Sequence, residues 1–180
     1  MKLDLKKSPV VVIAAALALS SCGEDEQAST LPSPVAKSSL ASLVLADPPS
    51  EAIAISTLRT TARPGDQVTF SGDVIGSTNV FMEGRAVVML GDPEKITACN
   101  LRPDDPCETP WDVCCDDPEV IKASIVTVQA LDEAGRPLKE GFKGLAGMKE
   151  LSSVIVTGEV AESSNQDNLL VNATGIFVQK

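Results

Sequence analysis

The chain predicts an all-β domain, a five-stranded Greek-key barrel with one short helix, a long cysteine-containing loop and a flexible N-terminal tether. Three observations carry that expectation. From Glu51 onward apolar and polar residues alternate with period two between turn residues, the pattern of antiparallel strands with one buried face. Two segments, Val68 to Val74 (VTFSGDV) and Val154 to Val160 (VIVTGEV), nearly repeat one another, each with a glycine inside a valine-rich strand. A mid-strand glycine weakens a flat sheet and suits a strand coiled to close a small barrel.

The first 21 residues place Lys2, Lys6 and Lys7 before the apolar run Val10 to Leu19, the charge and core pattern of an export signal. That run is shorter than the roughly 20 apolar residues a spanning helix requires. The following Leu19-Ser20-Ser21-Cys22 resembles the lipobox of bacterial lipoproteins, which implies cleavage before Cys22 and a lipid on its sulfur. Gly23 stands where some bacteria use aspartate to retain a lipoprotein at the inner membrane, so the resemblance favours the outer membrane of the cell envelope.

Residues 22–50 are rich in Ser, Ala and Pro and read as a lipid-anchored linker, with a short helix or first strand allowed near Leu40 to Ala46. Residues 51–180 form the expected domain. Its strands are read at about 53–61, 67–75, 85–90, 123–131, 153–161 and 169–178, with turns at Arg63-Pro64-Gly65-Asp66 and at Asp132 to Pro137. Between the fourth and fifth of these, Leu138, Phe142, Leu145, Met148 and Leu151 recur at helical spacing. Gly141, Gly144 and Gly147 each cost such a helix up to about 1 kcal/mol relative to alanine. The stripe is read as core, not as a site.

Three strands, a helix and two strands, with glycine-bent first and fourth members, resemble the OB-fold. The strings VTFSGDVIG, CETPWDVCC, LKELSSVIVTGEV and LLVNATGIFV, in that order, resemble a family of small uncharacterised bacterial OB-fold lipoproteins, related in shape to tRNA-anticodon and helicase-type binding modules. The resemblance covers residues 51–180, and TPWDVCC is its sharpest marker. It implies the barrel and brings no established activity; the strand at 53–61 would be an addition to the minimal fold.

The remaining stretch is the most unusual. Cys99, Cys107, Cys114 and Cys115 lie in a loop between the second and third barrel strands that holds nine acids, from Asp92 to Glu119, against Lys95 and Arg102. Long loops of this kind are functional or need independent support. Structural zinc sites usually present cysteines two to four residues apart, and an exported protein meets an oxidising compartment. Two disulfides among these four cysteines are therefore expected. Of the three pairings, Cys114 with Cys115 closes a strained ring, and bridges to Cys99 and Cys107 are the milder alternative. Each would stabilise by roughly 2 to 4 kcal/mol on the chain-entropy account.

No cofactor is expected; zinc on the thiols or calcium on the carboxylates are the alternatives, although the D-x-[DN]-x-[DN]-G order of a calcium loop is absent. Trp111, Asp112, Asp116 and Asp117 are the candidate contacts for a ligand or cation, with Trp111 more often a hydrophobic cap in such a loop.

Composition narrows the function. Without histidine the chain has no Ser-His-Asp or Cys-His catalysis and no imidazole metal site. Cleavage before Cys22 leaves 12 basic and 24 acidic residues, a net charge near −12, and there is one Trp, four Phe and no Tyr. Nucleic acid is thereby disfavoured on both charge and stacking. The expectation is a non-catalytic binding or assembly module, held to a membrane by its lipid and meeting an envelope protein, glycan or cation. A thiol-disulfide enzyme or a metal-binding protein built on the four cysteines is the alternative, and acids beside Cys114 and Cys115 oppose the low thiol pKa a redox enzyme requires.

Overall fold

The computed structural model describes residues 39–180; the segments read as a signal peptide and as a linker up to residue 38, and with them Cys22, lie outside the described residues. Six strands and two short helices follow one another as β1 (Ile53–Ala54), α1 (Ile55–Thr61), β2 (Gln67–Asp73), β3 (Val87–Gly91), α2 (Pro118–Ala123), β4 (Ile125–Gln129), β5 (Ser153–Val160) and β6 (Leu170–Val178). Among the described residues no helix is long and apolar enough to cross a membrane.

Strands β2 to β6 close on themselves in the order β2-β3-β4-β6-β5-β2. Every pairing in that ring is antiparallel except β4 with β6, which run parallel. This is the five-stranded OB-like barrel that the alternation and the two glycine-bent strands predict. Its interior is filled by residues alternating along each strand, among them Phe70, Val88, Leu90, Val126, Val128, Val156, Val171 and Ile176.

The two near-repeats are each other's partners. Val68 pairs with Gly158, Gly72 with Val154, and Phe70 with Val156, so each segment maps onto the other about a local twofold through the Phe70 and Val156 pair. Each glycine also admits a close neighbour. A Cβ on Gly158 would lie 2.4 Å from the Asn172 carbonyl oxygen, beside a register shift between Thr157 and Gly158. One on Gly72 would meet Ile55 Cδ1 at 2.4 Å and the Gly91 carbonyl oxygen at 3.0 Å. The extra residue at that shift, Thr174, lies in β6, and such a bulge bends its strand and helps the sheet curl into a cylinder.

Three expectations are corrected. Residues 53–61 are not one strand: only Ile53 and Ala54 pair with β2, and the chain then turns into α1. Ile55 and Leu58, three apart on one helical face, are both fully buried, and that burial outweighs the local alternation. Residues 138–151 form no α-helix; they run through turns with one short 3-10 segment, Leu145–Gly147. Gly144 and Gly147 adopt φ of 92° and 86°, and Ala146 lies at 49°, conformations that a right-handed helix excludes. Phe142 and Met148 still plug the barrel and Leu138 and Leu145 pack half-buried against it, whereas Leu151 is exposed, so the stripe is core except at its last position. Finally, the chain is already packed at Leu40, inside the segment read as linker. Ser39–Leu43 is a 3-10 turn, Leu40 enters the core, and Leu45 N–H donates to the Ile176 carbonyl at 2.8 Å.

Candidate functional site

The β3 to β4 connection is a small lobe rooted on the barrel. At its base, Asp92 is almost fully buried. Its carboxylate accepts from Ser56 N–H at 2.9 Å, at the start of α1, and from Glu94 N–H at 3.0 Å, while its own N–H donates to the Ser124 carbonyl. One acid thus ties together α1 and both ends of the loop. Nothing in the sequence separates Asp92 from the surface acids around it.

The lobe has its own apolar centre, Ile75, Ile96, Ala98 and Val113, with Trp111 packed against both this cluster and the barrel core. The indole Nε1–H donates to the Thr78 carbonyl at 2.9 Å, and Gly76 N–H donates to the Trp111 carbonyl at 3.3 Å. Trp111 is a clamp between lobe and barrel, the cap expected of it.

The candidate carboxylates bond within the loop and hold it, Asp112 and Asp116 half-buried and Asp117 exposed. Asp112 accepts from Val113 N–H at 2.7 Å and from the Thr78 hydroxyl at 2.9 Å. Asp116 accepts from Thr97 N–H at 2.7 Å and pairs with the Arg102 guanidinium. Asp117 caps α2, accepting from Glu119 and Val120 N–H, with Pro118 opening the helix. That helix was not foreseen, although Asp117-Pro118-Glu119 is the signal that could have found it. Asp112, Asp116 and Asp117 therefore supply the order of the segment; the exposed acids of the lobe are Glu94, Asp104, Glu108, Asp117 and Glu119.

All four cysteines converge. The Cys99 to Cys114 and Cys107 to Cys114 sulfurs are each 3.9 Å apart and Cys114 to Cys115 is 4.0 Å. The sulfurs of Cys99, Cys114 and Cys115 all lie within 4.8 Å of one another, as do those of Cys99 and Cys107 with an Asp105 oxygen. Backbone bonds impose this: Cys99 N–H donates to the Asp112 carbonyl at 2.8 Å, Asn100 N–H to Pro110 at 2.9 Å, and Asp116 N–H to Val113 at 2.9 Å, which curls the adjacent pair around one point. The expected disulfides are not formed: all four are free thiols, grouped around Cys114 rather than joined two by two.

Their environments differ. Cys99 is buried, Cys107 half-buried, and Cys114 and Cys115 exposed. Burial and then the thiols of Cys107 and Cys114 push the Cys99 thiol well above its ordinary range. Contacts with the hydroxyl and the backbone of Thr109 lower Cys107. At Cys114 the bond with Cys99 lowers the value, but those with Cys107 and Cys115 outweigh it and the thiol is raised. The lowered thiol is thus Cys107, while that of Cys114 is raised.

A second concavity, of about 560 Å³, lies beside α1 and α2 and gathers Arg59, Lys95 and Lys122. Arg59 spends its guanidinium on the carbonyls of Ile125 and Gln166, and Lys122 pairs with Asp167 at 2.6 Å. Its charge is largely consumed within the fold.

Comparison with protein-family models, with curated proteins and with solved structures returns no match.

Proposed function

We propose that the chain is a lipid-anchored lipoprotein of the bacterial envelope, held through Cys22 with the outer membrane favoured, whose OB-like barrel presents the cysteine lobe to an envelope protein. It would be a binding or assembly module, not an enzyme. The observation that carries this reading is the construction of the lobe: a separate apolar centre, a buried acid at its root and a tryptophan clamp hold a 33-residue excursion, with five carboxylates left facing solvent. A preformed surface binds without the ordering cost a floppy loop would incur. Its negative charge fits a basic partner surface. The lipobox, the linker and the OB-like family resemblance support the address; the raised thiol of Cys114, with acids on either side of the pair, speaks against the redox alternative.

Two measurements test it. Intact mass of the protein extracted from its own membranes is expected to show a chain beginning at an acylated Cys22, and Cys22→Ser is expected to leave the membrane fraction. A photoreactive residue at Leu101, which is 71% exposed on the lobe, is expected to give one discrete envelope-protein adduct in intact cells. Full-length unacylated protein in the cytosol would remove the address. Adducts no more specific than those from a photoreactive residue at Gly135 would remove the binding role, with glycan or cation binding then left to direct titration.

A further inference from the structure

We propose that Cys99, Cys107, Cys114 and Cys115 form a four-thiolate site for one divalent, zinc-class metal ion. In a tetrahedral tetrathiolate site with metal to sulfur bonds of about 2.3 Å, the ligand sulfurs stand about 3.8 Å apart. The separations of 3.9, 3.9 and 4.0 Å around Cys114 match that edge.

Disulfide chemistry predicts a different arrangement. Pairing two by two brings each sulfur to one partner at roughly 2 Å and leaves it no reason to be equidistant from the rest. Here Cys114 is about equally close to three sulfurs, and Cys99 also lies within 4.8 Å of those of Cys107 and Cys115, so five of the six separations are those a single shared centre allows. The sequence spacing hides it, because adjacent cysteines normally diverge; the turn from Val113 to Asp116 brings their sulfurs back to 4.0 Å.

The surroundings fit a charged centre. Four thiols that take up a divalent ion release four protons to solvent and leave a site of charge −2, which needs a counter-charge in a partly buried setting. Arg102, three residues beyond Cys99, is held in the lobe by Asp116 and carries a buried Nε–H with no acceptor, the one such orphan among the described residues. The Thr109 hydroxyl lies 3.4 Å from the Cys107 sulfur, placed to donate the kind of outer bond that orients a thiolate ligand. Asp105 and Asp112 flank the sulfurs and extend the donor set at its edge. With four sulfur donors available no position is left for water, so the site is structural, in keeping with a lobe whose apolar centre is only four residues. The inference does not depend on the anchor or on the partner.

The test uses the full chain, solubilised in detergent and reduced without chelator, with Zn²⁺ alone as the probe. One zinc per chain is expected, with all four thiols protected from alkylation until a chelator is added. Cobalt in its place is expected to give the visible spectrum of a tetrahedral tetrathiolate. Cys115→Ser, which alters an exposed ligand, is expected to weaken zinc by about 100-fold or more in competition with a chelating dye, while the far-ultraviolet spectrum is kept. Cys99→Ser should do the same if it folds. Protein isolated oxidised that takes up one zinc after reduction supports the site. Reduced, folded protein that binds no zinc, or binds it with Cys115→Ser unchanged, overturns it.

Discussion

Phe70, Leu90 and Val156 lie in the apolar core of the barrel, whereas Thr97, Cys99 and Trp111 in the lobe each add a directed bond, to Asp116, Asp112 and Thr78. The barrel stabilises itself by area: each fully buried Val, Leu or Phe contributes on the order of 1.5 to 3 kcal/mol. The lobe buries four small or medium residues and relies on capped backbone, one ion pair and converging sulfurs. Apolar packing tolerates local change because it is shared among many contacts. A scaffold of directed bonds fails locally, one bond at a time.

The largest expected effect therefore lies in the barrel, at a position with no side chain at all. Gly158→Val would press its side chain against the Asn172 backbone, which cannot withdraw without parting β5 from β6. A loss of about 4 kcal/mol or more is expected, comparable with the whole stability of a small domain. Chemical denaturation should find no cooperative native state at 37 °C. Because the lobe is rooted on β3 and β4, Trp111 emission should shift to that of exposed indole in the same variant. A folded, cooperative Gly158→Val would show that the close approach of Gly158 to the Asn172 backbone is not needed to close the cylinder.

Strands β2 to β6 were legible because period two, valine content and turn residues all agree over long stretches, and the repeated glycine-acid-valine marked where the sheet bends. Residues 53–61 misled because Ile53 and Ile55 fit a strand while Ile55 and Leu58 fit a helix, and seven residues are too few for either period to win without the core in view. In residues 138–151 the apolar spacing was right for Phe142 and Met148, but the glycines between them took positive φ. The site was half legible. Composition located it and named its cysteines, yet convergence of adjacent thiols depends on a backbone turn, and the burial of Asp92 depends on α1, so no local pattern carries either.

A smaller effect sharpens the contrast from the side of the lobe. Asp117→Ala removes the acceptor for two N–H groups at the start of α2. About 1 kcal/mol is the usual cost of losing such a cap. It should appear as faster amide exchange in α2 and the neighbouring cysteine turn, with β2 to β6 unchanged. If the strands exchange faster as well, the lobe and barrel unfold as one unit and the division drawn between them fails.

The smallest effect concerns a directed bond outside the lobe, and separates its kind of stability from its location. In the turn between β4 and β5, Asp132 accepts from Ala134 N–H at 2.9 Å and Arg136 N–H at 3.0 Å, and pairs with the Arg136 guanidinium at 3.2 Å. The Arg136 backbone bond, with the other donors, holds this carboxyl below the ordinary aspartate value near 3.9. A carboxyl lowered by folding contributes fully above its unfolded value, and the contribution disappears as pH falls through the folded value. The stability difference between the natural protein and Asp132→Asn should therefore be constant from pH 7 down to about 5 and shrink toward pH 3, where the protonated acid resembles the amide. Denaturant melts of both proteins across that range measure it, and the other carboxylates cancel in the difference. A difference that persists unchanged at pH 3 would assign the turn to its hydrogen-bond shape alone, with no part for the charge.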